Sequence, residues 1–232
     1  MIKIERNLDS EKITKAKEIL EEEKRKSNGD YNKSEVLDAL KYVFNKKCYL
    51  CENKNITSYN IEHLKPHRNT NRDLKFGWNN LFLACAHCNN IKSDKYENII
   101  DCTKIDADEL ISFRKIGNFV WDEKIEILPL NNSDEIKETV ELLQKIYEGN
   151  TSLKKLESAN IKKELRKELQ DFINSINEYE ESDGEDKEDA KILIKKHLKS
   201  NSAFTAFKRW IVRDNKDMLS EFLQEDGVKC LI

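Results

Sequence analysis

Cys48-Tyr49-Leu50-Cys51 and, thirty-three residues further on, Cys85-Ala86-His87-Cys88 are two C-x₂-C knuckles. Each knuckle offers two sulfurs to one ion, and four thiolates in two such pairs are the donor set of a closed, tetrahedral structural zinc site. His87, inside the second knuckle, is an alternative fourth ligand. The interval is longer than the roughly 15–20 residues of a simple zinc ribbon, so something is built between the pairs. A zinc ion holding both ends would fix the geometry of a segment with little core of its own. Cys102 and Cys230 have no partner at ligand spacing and read as plain thiols.

The insert carries ITSYNIEHLKPH (residues 56–67) and WNNLFLACAHCNNIKSDK (residues 78–95). Residues 56–62 read as a strand ending in Glu62-His63, and 81–84 as a second strand running into the second knuckle. Asn89 or Asn90 is expected to cap a following helix. The order is strand, long loop, strand, helix, with a zinc clamp across the base. His63 has an ordinary pKa near working pH and is a candidate general base, provided an acceptor such as a backbone carbonyl orients its other ring nitrogen. Lys65, Arg68, Arg72, Lys75, Lys92 and Lys95 outnumber the acids of this segment, which suits a phosphate backbone or a solvated surface. His67 reads as a phosphate contact or surface residue, and Trp78, Leu81 and Leu83 as core.

Outward from the insert the chain reads as helical. Helices are expected over 9–27 and 33–46, then over 106–115, 133–148, 151–180 and 187–214, with a hairpin or extended strap near 118–129. The expected class is α+β, mostly α, with N-terminal helices over 1–47, the zinc-clamped unit over 48–102 and a helical region over 103–232. Two prolines and six glycines in 232 residues argue against a β-sandwich or a Pro-rich disordered chain. No run of eighteen apolar residues occurs, and Met1–Arg6 lacks the apolar core of a signal peptide, so a cytoplasmic location is expected. The net charge of −3 conceals local bias: residues 178–189 hold eight acids, whereas 191–216 hold eight Lys/Arg and one acid. The acidic run reads as a solvated linker or helix end. The stretch AFTAFKRWIVR (203–213) is open between a nucleic-acid contact, a partner contact and a core helix. No Gly-rich phosphate loop occurs, so ATP hydrolysis by this chain is not expected.

Glu62-His63 at a strand end, Asn80-Leu81 before the second knuckle and Asn89 just after it resemble the HNH (His-Me finger) endonucleases that carry a Cys₄ zinc. The likeness spans roughly residues 48–97 and implies a ββα-metal core within a helical frame. It implies His63 as base, Glu62 and Asn89 as ligands of a catalytic Mg²⁺ or Mn²⁺, and Asn80 as the residue that pins the loop; a shift of one residue, to Asn79 or Asn90, is the alternative. Glu62 stands where many relatives have Asp. The resemblance also makes Lys65, His67, Arg68, Lys92 and Lys95 candidate contacts to a DNA substrate. More narrowly, IEHLKPH, WNNLFLACAHCNNIKSDK and the helical C-terminal half are similar to the HNH subunit of Septu-type (PtuB-like) antiphage systems. That implies an ATPase partner of the SMC/ABC type, docked on the helical region. The alternative class is a zinc-stabilised module that binds nucleic acid or protein without cutting.

Overall fold

The structure, a computed structural model, describes residues 1–6, 9–223 and 228–229; Cys230 lies outside the described residues. Two N-terminal helices, α1 (Glu11–Arg25) and α2 (Ser34–Val43), bury Ile13, Ala16 and Leu20 on one and Val36, Leu40 and Val43 on the other. The spacing of these residues by three and four places them on one helix face. Ahead of α1, the buried Arg6 guanidinium donates to the Trp78 carbonyl at 2.6 Å and to the Leu81 carbonyl. It lies 4.7 Å from the Phe82 ring centroid, and burial lowers its pKa to about 10. One cation therefore fastens the N-terminal segment to the insert.

The insert folds as β1 (Tyr59–His63), a loop containing the short helix α3 (Arg72–Phe76), β2 (Leu81–Cys85) and α4 (Ala86–Lys92). The strands are antiparallel, with Tyr59 opposite Cys85 and His63 opposite Leu81. The strand–loop–strand–helix order is the one expected. The helix start is not: Cys85 is its N-cap, and Asn89 and Asn90 lie inside it. Cys85 and Cys88 must face one point, and a first helical turn puts i and i+3 on one side, so the helix begins inside the knuckle.

Residues 106–115 are a 3₁₀ turn followed by β3 (Ile111–Ile116), not a helix. β3 pairs antiparallel with β4 (Lys124–Pro129), so the strap is a true hairpin. The reason is period-two burial: Ile111 and Phe113 on β3, and Ile125 and Ile127 on β4, turn inward.

Then come α5 (Asp134–Glu148), α6 (Ser152–Glu181), α7 (Gly184–Leu198) and α8 (Thr205–Asp214). The acidic run falls at the α6–α7 junction, a helix end as expected. The single helix expected over 187–214 is broken at 199–204. There the carbonyls of Ser200 and Ser202 accept from the buried Lys47 ammonium at 2.7 and 3.0 Å rather than continuing a helix, and Thr205 Oγ1 donates to Lys199 and Ser202. α8 resolves the 203–213 ambiguity as a core helix. Lys208 donates to Glu168 at 2.7 Å, Arg213 to Asp108 at 2.6 Å, and Arg209 faces Asp106 and Asp108. All three cations are buried, so much of the basic bias of 191–216 is spent internally.

A single hydrophobic core joins all three sequence segments, from Leu20 and Val43 through Phe82 to Phe113, Leu143 and Phe207. A smaller cluster holds Phe172, Ile194, Val212 and Phe222. No helix among the described residues is long and apolar enough to cross a membrane. Phe207 packs edge-on against Phe113 at 5.5 Å and Tyr147 at 5.6 Å, joining α8, the hairpin and α5. Phe207→Ala is expected to cost about 3–5 kcal/mol in guanidinium denaturation; a cost below about 1 kcal/mol would mean the three elements do not share a core.

Candidate functional site

Cys48, Cys51, Cys85 and Cys88 bring four Sγ atoms within 4.8 Å of one another, with Cys51 and Cys85 4.0 Å apart. A tetrahedral ion with bonds of about 2.3 Å requires sulfurs roughly 3.8 Å apart, so the four can hold a metal ion such as zinc. By themselves the thiols concentrate charge on one sulfur. Burial pushes Cys48 up, but hydrogen bonds from the other three outweigh it and draw it well below its usual range. Cys51 is pushed well up by its bonds to Cys48 and Cys85, and Cys88 by burial. A divalent cation is what would let all four ionise together. His87 is not one of this set. Its Nδ1 meets Glu157 at 2.7 Å and its Nε2 donates to the Ile146 carbonyl at 2.9 Å, tying α4 to α5 and α6.

The loop between the strands is clamped by Asn80. Its Oδ1 accepts from Lys65 N, and its Nδ2 donates to the Lys65 and Leu74 carbonyls, all at 2.9 Å; its own carbonyl takes Leu64 N. This is the backbone pinning that the resemblance implied for Asn80. The clamp presents the Lys75 carbonyl to His63 Nε2 at 3.0 Å. A carbonyl only accepts, so Nε2 carries the proton and Nδ1 keeps the lone pair. His63 is buried at the end of β1, with Tyr31 edge-on at 4.6 Å and His67 at 4.5 Å. Burial, together with neighbouring cations, lowers its pKa to about 4 against the opposing Lys75 bond.

Glu62 is also buried, and its Oε1 accepts from Lys92 Nζ at 2.8 Å; the same ammonium donates to the His63 carbonyl at 2.8 Å. Burial raises the Glu62 pKa to about 7 even so, Lys92 opposing. The carboxylate is thus desolvated and has one cation beside it. Lys92, expected to contact nucleic acid at the surface, is fully buried. It is four residues past Cys88, so a helix that turns its cysteine inward turns Lys92 inward too. Asn89 is three residues before Lys92 on α4 and half-buried; of the two, Lys92 is the one that contacts Glu62.

The other basic residues divide. Arg72 caps the end of α1 through the Lys24 and Lys26 carbonyls, and Arg68 pairs with the exposed Glu97. Lys65 and Lys95 are exposed, and His67 is half-buried with Nδ1 accepting from Asn69 N at 3.0 Å. A backbone carbonyl is the acceptor expected for His63, but neither its source, Lys75, nor the ring neighbour Tyr31 is marked in the sequence, since one contact is backbone and the other lies in an unpatterned loop. Comparison of the chain with protein-family models, with curated proteins and with solved structures finds no match.

Cys48→Ser or Cys88→Ser should remove bound zinc, read by metal analysis of the purified protein, and lower the melting temperature; retention of one equivalent of zinc would refute the four-sulfur assignment. His63 adds a pH dependence. The unfolded imidazole protonates near pH 6.5 and the folded one only near 4, so between these values the unfolded chain binds the extra proton and stability falls as pH falls. Across that interval the parent should lose about 1–3 kcal/mol relative to His63→Gln in urea melts; parallel curves would show that the ring is not held neutral.

Proposed function

We propose that the chain is a metal-dependent endonuclease of the HNH type that hydrolyses DNA phosphodiester bonds. The observation that carries the proposal is the His63 imidazole, oriented by the Lys75 carbonyl on a loop that Asn80 clamps, beside the buried carboxylate of Glu62. A ring that needed only to fill space would not require its tautomer fixed. With Nε2 protonated, Nδ1 is the atom that takes a proton from water as it attacks phosphorus. The ring is neutral at physiological pH and so available as a base, and the negative charge of a docked phosphate would raise its pKa toward the working range.

The residues fit a hard divalent cation: Glu62 would supply a carboxylate and Asn89, on α4, an amide oxygen. Bound there, Mg²⁺ or Mn²⁺ would neutralise charge on the phosphate and the leaving oxygen. Lys65, His67, Arg68 and Lys95 border the same segment and are the proposed backbone contacts. The four-cysteine site, holding zinc, would serve structure only. By resemblance we extend the proposal to an antiphage complex with an ATPase partner of the SMC/ABC type, docked on the helical region. The exposed hairpin tip, where Phe119 stacks on Trp121 at 4.5 Å, offers that region apolar surface.

One observation favours the second reading, a zinc-stabilised binding module without cleavage. Lys92 already supplies Glu62 with a cation at 2.8 Å, so the carboxylate has a structural role that needs no metal. Cleavage assays on plasmid and single-stranded DNA with Mg²⁺ or Mn²⁺ separate the two. His63→Ala should abolish cleavage, a loss on the order of 10²-fold or more, with zinc content and circular dichroism unchanged. Equal cleavage by parent and His63→Ala would sink the base assignment. Binding without cleavage, by the parent and by its complex with a co-purified ATPase, would favour the module.

A further inference from the structure

Beyond α4, the chain turns at Ser93 and passes close to the α5–α6 turn, leaving a cavity of about 80 Å³ between them. Asn90, Ser93, Lys95, Lys145, Asn150 and Lys154 line it, and no acidic side chain does. The tightness of the α5–α6 turn is a glycine property. Gly149 has φ +65°, and a Cβ there would stand 2.6 Å from the backbone of Lys154. That close approach brings Asn150 and Lys154 up to the end of α4.

The three ammonium groups are not equivalent. Lys145 is fixed by Glu141 and by the Tyr96 hydroxyl, each at 2.6 Å. Lys95 and Lys154 have no acidic partner among the described residues, although they converge on one small space. The first turn of α6, which contributes Lys154, carries no acid either. Like charges held together without a counter-ion repel, and here hydroxyl and carboxamide donors stand alongside them. The space is small and its polar lining is donor-rich, which suits one tetrahedral oxyanion.

We propose that this cup is a phosphate subsite, filled by one backbone phosphate of the DNA that reaches the site on β1 and α4. The inference rests on the nuclease reading and extends it, since the cup begins at the residue after Asn89 and takes half its donors from the helical region. DNA leaving the β1–α4 site across Asn90 would be held by the α5–α6 turn, which gives these appended helices a role in substrate binding.

The test uses the full-length chain carrying His63→Ala, so that binding is read without cleavage. Fluorescence anisotropy with labelled duplex and single-stranded DNA is followed over a salt series. Lys95→Gln with Lys154→Gln should weaken binding and reduce the slope of log K against log salt by about 1, the signature of one lost phosphate contact. Lys17→Gln with Lys216→Gln, exposed lysines outside the cup, should leave the slope unchanged, and thermal melts confirm that both double variants fold. An unchanged slope in the cup variant overturns the subsite while the nuclease reading stands. An equal reduction in both double variants overturns it as well, because the effect is then general charge. Absence of DNA binding by the His63→Ala chain at every salt concentration, both alone and in complex with the co-purified ATPase, removes the subsite and the nuclease reading together. Inorganic phosphate that saturates the cup by NMR, with DNA affinity independent of both lysines, reassigns the cup to a free anion and overturns the backbone assignment.

Discussion

Four sulfurs within 4.8 Å of one another join two parts of the chain that no secondary structure would otherwise hold in register. β1 and β2 are five residues each, and an isolated two-stranded hairpin is marginal in water. The first knuckle pins one end, where Tyr49 N donates to the Leu83 carbonyl at 3.0 Å, and the second starts α4 directly from β2. From this base the rest follows in order. The strands fix His63 and Glu62, α4 presents Lys92 to them, and the twelve residues between Lys65 and Trp78 close over the top through Asn80.

The second constraint is charge. With 37% charged residues, the chain has too little apolar material to bury only apolar groups, and several cations go inside instead. Arg6 satisfies two carbonyls, Lys47 takes the carbonyls that break the last helices apart, Lys92 holds Glu62, and Lys208 holds Glu168. Replacing such a pair wholesale by apolar groups often costs little, but removing one partner strands a buried charge at about 3–5 kcal/mol. Each therefore acts as a specificity device: it penalises any arrangement that separates the two elements it joins. Lys92 is the case where this role meets the candidate chemistry, since the cation that orders Glu62 is also a competitor for its oxygen.

The knuckles and the strand–loop–strand–helix order are legible because each depends on spacing, and spacing survives in one dimension. The hydrogen bonds of Asn80 to the loop backbone were not readable from spacing; the resemblance alone implied them. Helices α5 and α6 were equally legible from their apolar period. The hairpin at 111–129 was misread in its first half because a charged, six-residue strand offers only three alternations, too few to separate from a helical turn. The burial of Lys92, expected as a nucleic-acid contact, and of Lys208, Arg209 and Arg213, whose stretch the sequence leaves open, is hidden for a different reason. A basic residue looks solvated in sequence until its counter-ion is found, and Glu62, Glu168 and Asp108 lie 30, 40 and 101 or more residues away.

That same internal pairing bears on how a chain of net charge −3 could hold a polyanion. Long-range attraction cannot come from the total, so it must come from cations left unpaired at the surface near the site. Buried pairing removes Lys92, Lys208, Arg209 and Arg213 from that supply, helix capping removes Arg72, and surface pairing with Glu97 weakens Arg68. What remains around the β1–α4 unit is Lys65, Lys75 and Lys95, joined across the α5–α6 turn by Lys154. So few contacts give weak binding with a shallow salt dependence. A nuclease built this way would depend on further contacts, from the helical region or from a bound partner, to keep DNA in place long enough to cut.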